Sequence, residues 1–298
     1  MNASITDALK KSRPNLSVSS LKTYTSILAS LHHKLFGYTI DLANFNKTQE
    51  IVDYVKDISP NKIKTTLSAL VVLTKEDKFR TLMVDKIKDY TAKINTQEKT
   101  KAQEDAWIEK DDINSKLSEL KKTALHLYKK DTLNNDDLQK IQQYIILSVM
   151  GGIYIPPRRS LDYVKMLNTN TKVKDIAKDK DNYLLGNTFH YNEYKTSKHY
   201  GKQTLDIPKE LKSILTKWAK VNPTATMLFD TNKNPLTNIT LNQRINKIFG
   251  KKVGSNGIRH TYLTDKYAEN SKVRKALAED MSDMGSSLAQ AKTYIKLD

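Results

Sequence analysis

The chain has 298 residues, enough for two domains, and its hydrophobic content of 38% is typical of a folded globular protein. It contains no cysteine, which excludes disulfides, thiolate catalysis and cysteine-ligated zinc. Fifty Lys and Arg residues against 33 Asp and Glu residues give a formal net charge of +17, which predicts a polyanionic partner. Because no apolar run is long enough to span a membrane and no signal peptide is evident, we expect an intracellular protein with no membrane partner.

Helical periodicity dominates residues 1–96, which we interpret as one N-terminal domain. Three apolar sets with helical spacing predict three inward-facing helix surfaces: Leu21, Tyr24, Leu28, Leu31 and Leu35; Ile63, Leu67, Leu70 and Val71; and Leu82, Val84, Ile87 and Tyr90. Lys62 and Lys64 on the second helix are candidate contacts to a phosphate backbone, although a solvated face fits them equally well.

Residues 97–106 are polar and show no apolar period, so we interpret them as a linker to a second domain, residues 107–298. Helical patterning resumes there on three faces: Leu117, Leu120, Ala124 and Leu127; Leu138, Ile141, Tyr144 and Leu147; and Leu241, Ile245 and Phe249. Between residues 183 and 208 the period shortens toward two, which predicts one β-hairpin with its turn near residues 195–201. The predicted fold is therefore mainly α with a small β-hairpin sheet.

Several kinds of active site are excluded by spacing. The six histidines show no metal-ligand pattern, and the sequence has neither a Gly-rich phosphate loop nor a Gly-x-Ser-x-Gly motif. We therefore expect no metal and no other cofactor. Four polar segments remain as candidates for chemistry: residues 156–166, 194–198, 256–262, and 283–287 followed by Tyr294.

In this order the four segments resemble the catalytic domain of the tyrosine recombinases. That family carries an Arg, a hairpin Lys, a His-x-x-Arg motif, a His or Trp, and finally a Tyr. The phrases Lys-Thr-Ser-Lys, Asn-Gly-Ile-Arg-His and Asp-Met-Gly-Ser-Ser are most similar to those of members from large eukaryotic DNA viruses and their mobile elements. The resemblance covers residues 107–298, and it extends to the N-terminal helical domain by arrangement only.

The resemblance implies a site-specific recombinase or integrase that cuts and rejoins double-stranded DNA through a 3′-phosphotyrosyl intermediate. It also implies a two-domain, C-shaped clamp around DNA, with residues 1–96 as a DNA-binding (core-binding) domain. Such a protein would act as a homotetramer on DNA and be a monomer or weak oligomer when free. Two alternatives remain open, namely a type IB topoisomerase and a DNA-binding protein that kept the fold but lost strand transfer.

By the same resemblance, two arginines would clamp the non-bridging oxygens of the phosphate, because bidentate and permanently charged donors suit that charge. Arg259 is one of them. Arg159 is preferred to Arg158 for the other, since Asp162 follows it by three residues, where the family has an acid. Arg158 would then contact DNA or face solvent. Met166 falls at an apolar position of the motif.

Arg259 stands near the start of a predicted helix. We expect Tyr262 and Leu263 to pack inward from that helix, and we expect His260 to support packing rather than chemistry.

The remaining roles also follow from the resemblance. Lys195 would protonate the departing 5′ oxygen, with Lys198 as the alternative acid or as a DNA contact, and Tyr294 would be the nucleophile. The sequence departs from the family at two positions, because Asn256 replaces a His and Ser286 replaces a His or Trp. Both can hydrogen-bond a phosphate, but neither titrates near neutral pH. We therefore expect cleavage to be possible but slow.

Overall fold

The chain divides into two compact units, residues 1–99 and residues 100–298. The structure is a computed structural model that describes residues 2–58, 60–284, 286 and 291. Most of the described residues are in helices, and the described strands form one three-stranded antiparallel sheet. The predicted fold class, mainly α with a small hairpin sheet, is confirmed. No described helix combines the length and the apolar character that crossing a membrane requires.

The first unit is a helical bundle over its described residues. Its helices are α1 (Ala3–Ser12), α2 (Val18–Phe36), α3 (Thr48–Lys56), α4 (Pro60–Thr74) and α5 (Asp77–Asn95). Helix α2 begins where the Ser17 side chain accepts a hydrogen bond from the Ser20 N–H, and it ends at Gly37 with a φ of +88°. Leu28, Leu67 and residues around them form the core of this unit.

Helix α5 is rotated relative to the prediction. Phe79 is fully buried and Leu82 packs beside the core, whereas Val84 and Tyr90 are 42% and 40% exposed. Each helical residue turns about 100° around the axis, so Val84, five positions after Phe79, points away from the face that Phe79 defines. Tyr90 lies on the Phe79 side, but its ring is partly exposed, with Nζ of Lys64 5.8 Å from the ring centre. The expectation that Val84 and Tyr90 pack inward is wrong.

A buried histidine closes the turn after α2. Nδ1 of His32 donates to the Gly37 carbonyl at 3.0 Å, and Nε2 accepts from the Asp41 N–H and from Nδ2 of Asn44, each at 3.2 Å. His32 is fully buried, so these bonds replace the water that its ring and its partners would otherwise contact. The residue is structural rather than a metal ligand, and no described group of His, Asp and Glu side chains is arranged to hold a metal ion.

Along the chain of the second unit, helices both precede and follow the strands of the sheet. Its elements are α6 (Lys101–Ala106), α7 (Lys110–Leu127), α8 (Asn135–Met150), α9 (Ser160–Val164), β1 (Tyr183–Leu185), β2 (Thr188–Tyr191), α10 (Ser197–Tyr200), β3 (Gln203–Asp206), α11 (Lys209–Val221), α12 (Asn238–Phe249) and α13 (Gly254–Asp283). The division between the units falls inside the segment predicted as linker. Part of that segment is helix α6, because Thr100 and Gln103 form a reciprocal capping box.

The predicted hairpin is confirmed as the pair β2 and β3, in which Phe189 lies opposite Leu205. Strand β1 pairs with the other edge of β2 and was not predicted, because three residues are too few to show an alternating pattern. Helix α11 covers the core with Trp218, which stacks on Phe229 at 5.8 Å and donates its indole N–H to the Met227 carbonyl at 2.8 Å.

The buried histidine gives a test of the first unit. His32→Phe keeps an aromatic ring but leaves the Asp41 N–H and the Asn44 amide without their acceptor, so we expect a loss of about 2–3 kcal/mol. Guanidinium unfolding of the whole chain should show it as a shifted far-UV circular dichroism transition. Tryptophan fluorescence should shift much less, because Trp107 and Trp218 both lie in the second unit.

His33→Phe is the matched control for this substitution. His33 is half-buried beside Tyr38 at a ring separation of 4.9 Å, and it makes no such set of hydrogen bonds within the described chain. A His32→Phe chain that unfolds like the His33→Phe chain would show that these hydrogen bonds contribute nothing to stability.

Candidate functional site

The first candidate segment leads into the short helix α9, which is fixed to the core by its own side chains. The Tyr163 hydroxyl is buried and donates to the Val149 carbonyl at 2.9 Å. Asp162 is 2% exposed and Met166 is fully buried, so the apolar position of the motif is filled as expected. Helix α9 therefore starts at a fixed place, and the two arginines that precede it are set by that start.

Arg158 points into the protein, so the expectation that it faces solvent is wrong, whereas its contact to DNA stays a prediction. Its Nε donates to Oδ2 of Asp162 at 2.8 Å, and its Nη2 donates to Oε1 of Gln203 at 2.9 Å. The guanidinium carbon also lies 4.0 Å from the centre of the Tyr191 ring and 5.3 Å from that of Tyr194. A buried carboxylate requires a paired cation, and Arg158 supplies it.

Arg159 is placed differently although it is adjacent in sequence. It forms the N-cap of α9 with an extended backbone, and its side chain is half-buried. No hydrogen bond or ion pair joins that side chain to another described residue. Arg159 is therefore the arginine of this segment whose donors remain available to an external anion, and its role at a phosphate stays a prediction.

Helix α13 carries Arg259 and is held at its beginning by helix α12. Two asparagine side chains on α12 accept hydrogen bonds from the first amides of α13: Oδ1 of Asn246 from the Gly254 N–H at 2.9 Å, and Oδ1 of Asn242 from the Ser255 N–H at 2.8 Å. These bonds satisfy donors that a helix start otherwise leaves unpaired. They fix the turn of α13 that presents Arg259.

The inward face of α13 differs from the prediction. Ile258 and Thr261 are buried, as are Ser255 and Met281 elsewhere on the helix, and the Thr261 hydroxyl donates to the Ile108 carbonyl at 2.6 Å. His260 is exposed and Leu263 is 52% exposed, so the expectation that both support packing is wrong. Because residues three apart share a helix face, burial of 258 and 261 places 260 and 263 on other faces. Tyr262 is half-buried.

The two arginine segments lie close enough for the charged groups of one to shift the pKa values of the other. Burial raises the pKa of the Asp162 carboxyl above its usual value, and the guanidinium groups of Arg158, Arg159 and Arg259 offset only part of that rise. Partial burial lowers the pKa of Arg259, and the neighbouring charges of Arg159 and Arg158 lower it further. Among the described ion pairs Asp162 pairs directly with Arg158, so its single negative charge leaves the positive charges of Arg159 and Arg259 nearby uncompensated. Such a cluster is suited to an anion with several oxygen acceptors.

The hairpin lysines lie on the connection between β2 and β3. Lys195 and Lys198 are both exposed, and neither is hydrogen-bonded or ion-paired to a residue that the structure describes. The connection itself is well fixed, because Tyr194 is buried and its hydroxyl donates to the Gly201 carbonyl at 2.7 Å. The choice between Lys195 and Lys198 as the acid stays a prediction.

Two residues that the sequence did not single out connect this hairpin to the arginines. Gln203, at the start of β3, accepts from Arg158. Asn182, just before β1, is 1% exposed and donates from its side-chain amide to the Asp162 carbonyl at 3.1 Å and to the Glu193 carbonyl at 2.8 Å. Neither residue belongs to a recognisable motif, and their partners are distant in sequence, so no local signal could have identified them.

The remaining predicted residues are only partly placed. Asn256 is exposed, and its Oδ1 lies 3.5 Å from Nη1 of Arg259, which donates to it. Ser286 is half-buried, and its N–H donates to the Met281 carbonyl at 2.8 Å. Tyr294 lies outside the described residues. In the first unit Lys62 and Lys64 are exposed on α4, and their contact to DNA stays a prediction.

Comparison with known proteins gives structural similarity without sequence similarity. No protein-family profile matches the sequence. No curated protein sequence matches it either. Solved structures that are similar include a lambda integrase(75-356) dimer bound to a COC′ core site, at 13% identity and a TM-score of 0.47, covering 91% of this chain and 93% of that one. A lambda integrase dimer bound to a COC′ core site gives 13% and 0.48, covering 91% and 73%. XerA recombinase gives 13% and 0.34, covering 100% and 95%.

The opposite orientations of the two adjacent arginines predict opposite effects on stability. Arg158→Gln leaves the buried Asp162 carboxylate without its cation, which should destabilise the second unit by about 3–5 kcal/mol. Arg159→Gln should change stability by less than about 0.5 kcal/mol, because no hydrogen bond or ion pair to a described residue is lost and the attraction to Asp162 is opposed by the repulsion from Arg259. Guanidinium unfolding followed by tryptophan fluorescence measures both values.

A second substitution checks the cause. Adding Asp162→Asn to the Arg158→Gln chain removes the unpaired charge and should recover part of the lost stability. If Arg159→Gln proves to be the more damaging of the two single substitutions, the orientation of the arginines described above is incorrect.

Proposed function

We propose that this protein cuts and rejoins double-stranded DNA as a tyrosine recombinase or integrase, with Tyr294 as the nucleophile. The observation that carries the proposal is that Arg158 pairs with the buried Asp162 at 2.8 Å while Arg159 and Arg259, from segments about a hundred residues apart, also act on that carboxylate, so that the three arginines supply more positive charge than the acid neutralises. When an oxygen nucleophile attacks a phosphodiester, negative charge builds up on the non-bridging oxygens in the transition state. Preorganised guanidinium groups stabilise that charge.

The proposed chemistry uses only groups of this chain and of DNA. The phenol oxygen of Tyr294 attacks phosphorus and forms a 3′-phosphotyrosyl ester, and its proton passes to solvent. The bond from phosphorus to the 5′ oxygen breaks, and Lys195 gives that oxygen a proton. Rejoining reverses each step with a second 5′ hydroxyl. The phosphotyrosyl ester conserves the free energy of the broken phosphodiester bond. The cycle therefore needs neither a nucleoside triphosphate nor a metal.

Asn256 stands where the resembled family has a His and Ser286 where it has a His or Trp, and the absence of imidazoles there lowers the cleavage rate that we expect. Asn256 and Ser286 can donate hydrogen bonds to a phosphate oxygen, but they cannot take up the proton that the phenol loses. We therefore propose slow cleavage supported by the arginine cluster. A protein that binds DNA through the same cluster without cutting it is the competing possibility, and the absence of both imidazoles is the feature that favours it.

The net charge of +17 supports a large polyanionic partner rather than a small one. We propose that the N-terminal unit and the second unit both contact the duplex, with the lysines Lys62, Lys64 and Lys198 as backbone contacts. Exchange of strands involves two duplexes and two cuts in each, which four active sites supply, so we further propose a homotetramer on DNA.

The first test must find the cleavage site as well as the activity. Duplexes that contain a random core and a nick are incubated with the protein, and complexes that survive denaturing detergent are recovered and sequenced. Because the fragment beyond the nick diffuses away, rejoining is prevented and the covalent adduct accumulates. We expect adducts to converge on one sequence with the parent chain and to disappear with Tyr294→Phe, since only the attacking hydroxyl is lost.

Tyr267→Phe is the matched control, because Tyr267 is an exposed phenol on helix α13. It should give the parental yield of adduct. An adduct of parental yield from the Tyr294→Phe chain would show that another tyrosine is the nucleophile. DNA binding without any adduct from the parent chain would favour the binding protein over the recombinase.

The arginine cluster makes a second prediction on the recovered sequence. Arg159→Ala and Arg259→Ala should each slow adduct formation by about 100- to 1,000-fold, as the loss of one preorganised transition-state donor does. DNA affinity at fixed salt should fall only slightly, because many basic residues share it. Arg274→Ala, on the exposed part of helix α13, is the control and should leave the rate unchanged. Losses in affinity as large as the losses in rate would contradict the proposed role.

A further inference from the structure

We propose that Asn182 is a positioning residue, which holds the hairpin lysine Lys195 in register with the Arg159 segment although it contacts neither DNA nor the lysine side chain. The proposal rests on the proposed function and adds to it a residue on which protonation of the leaving group depends. Asn182 lies just before β1, outside all four candidate segments.

The buried side-chain amide of Asn182 makes all four hydrogen bonds of which it is capable. Oδ1 of Asn182 accepts from the N–H of Asn192 at 2.8 Å and from that of Glu193 at 2.9 Å. Nδ2 donates to the Glu193 carbonyl at 2.8 Å and to the Asp162 carbonyl at 3.1 Å. Two acceptor sites and two donor sites are all that an asparagine side chain offers. At 1% exposure, water replaces none of these bonds.

The hydrogen-bond partners of this amide belong to two parts of the site, the helix that follows Arg159 and the loop that carries Lys195. Asp162 belongs to the helix that Arg159 begins, and its carboxylate holds Arg158. Glu193 is two residues before Lys195 in the hairpin connection. The backbone of Asn182 is fixed as well, because its carbonyl accepts from the Leu167 N–H at 2.8 Å. One side chain therefore joins the arginine segment to the base of the lysine loop.

The loop transmits this placement to the lysine. Residues 192 and 193 are held by Asn182, and Tyr194 is buried with its hydroxyl bonded to the carbonyl of Gly201 at the far end of the loop. Lys195 follows directly, so the place of its backbone relative to the scissile phosphate depends on Asn182. A displacement of about 1 Å in a catalytic group can cost about 100-fold in rate.

Asn182→Asp is the sharpest substitution for a test. It keeps the two acceptor bonds and almost the same shape, but it replaces the two donors with an oxygen that faces the carbonyls of Asp162 and Glu193. The loop base should move away from the arginine segment by a fraction of the length of a hydrogen bond. Both backbone amides of the loop stay satisfied, so the loop itself remains closed.

A change of leaving group distinguishes the contribution of the lysine to the rate from that of the arginines. In a substrate with sulfur in place of the 5′ bridging oxygen, the 5′ product departs as a thiolate. A thiol has a pKa of about 8.5, so its anion leaves without a proton from Lys195. We expect Asn182→Asp to slow single-turnover adduct formation by about 10- to 100-fold on the oxygen substrate and by less than about threefold on the sulfur substrate.

Asn168→Asp is the matched control within the same unit. Asn168 is also buried, and its Nδ2 donates to the Thr224 carbonyl at 2.9 Å and to the Asn222 carbonyl at 3.5 Å, away from the hairpin. It should lower stability about as much as Asn182→Asp does, and its rates should change equally on both substrates. Lys195→Ala should show the same selective rescue by sulfur as Asn182→Asp.

The outcomes separate this proposal from the proposed function. If the parent chain forms no adduct with either substrate, the recombinase function itself is wrong. If the parent chain is active and Asn182→Asp loses equal rate on both substrates, or loses none, Asn182 does not position the lysine. Failure of sulfur to rescue Lys195→Ala in an active protein overturns the proposal as well, because Lys195 would not be the acid.

Discussion

The buried ion pair between Arg158 and Asp162 is the interaction on which the rest of the site depends. Asp162 lies inside the protein, where an unpaired carboxylate would be costly, and Arg158 provides its counter-charge at 2.8 Å. The same guanidinium reaches Gln203 and stacks on Tyr191, so the pair that neutralises the acid also joins helix α9 to strands β2 and β3. Asn182 makes a second, uncharged connection, from helix α9 to the chain that follows β2.

Because Asp162 is already paired with Arg158, it does not fully neutralise its other neighbours, Arg159 and Arg259. The protein thus holds two cationic side chains near each other on separately anchored helices, an arrangement that costs free energy until an anion arrives. That stored repulsion can be released by a phosphodiester, and more fully by the more highly charged transition state. With Asn256 and Ser286 in place of imidazoles, the proposed catalysis depends more on this electrostatic contribution than on proton transfer.

Sequence reasoning predicted the features that have a local or periodic signal. Helices and the hairpin follow from apolar spacing, whereas Arg159 and Arg259 were singled out by the resemblance of the polar segments to a known family. The inward orientation of Arg158 could not be predicted, because two adjacent arginines before a helix look equivalent until the place of Asp162 in the core is known. The roles of Gln203 and Asn182 depend on partners far away in the chain. The wrong inward face of α13 arose because residues 262 and 263 look as apolar as 258 does.

The most direct test of the arginine cluster is to change the charge of the substrate instead of the charge of the protein. In the sequence recovered from the random library, a methyl group replaces one non-bridging oxygen of the scissile phosphate, which removes its negative charge. Arg159→Ala and Arg259→Ala chains should then differ from the parent chain by less than about tenfold, since the transition state carries one negative charge fewer and needs less stabilisation by those side chains. Rates that remain about 100-fold or more below the parent rate on the neutral substrate would contradict it.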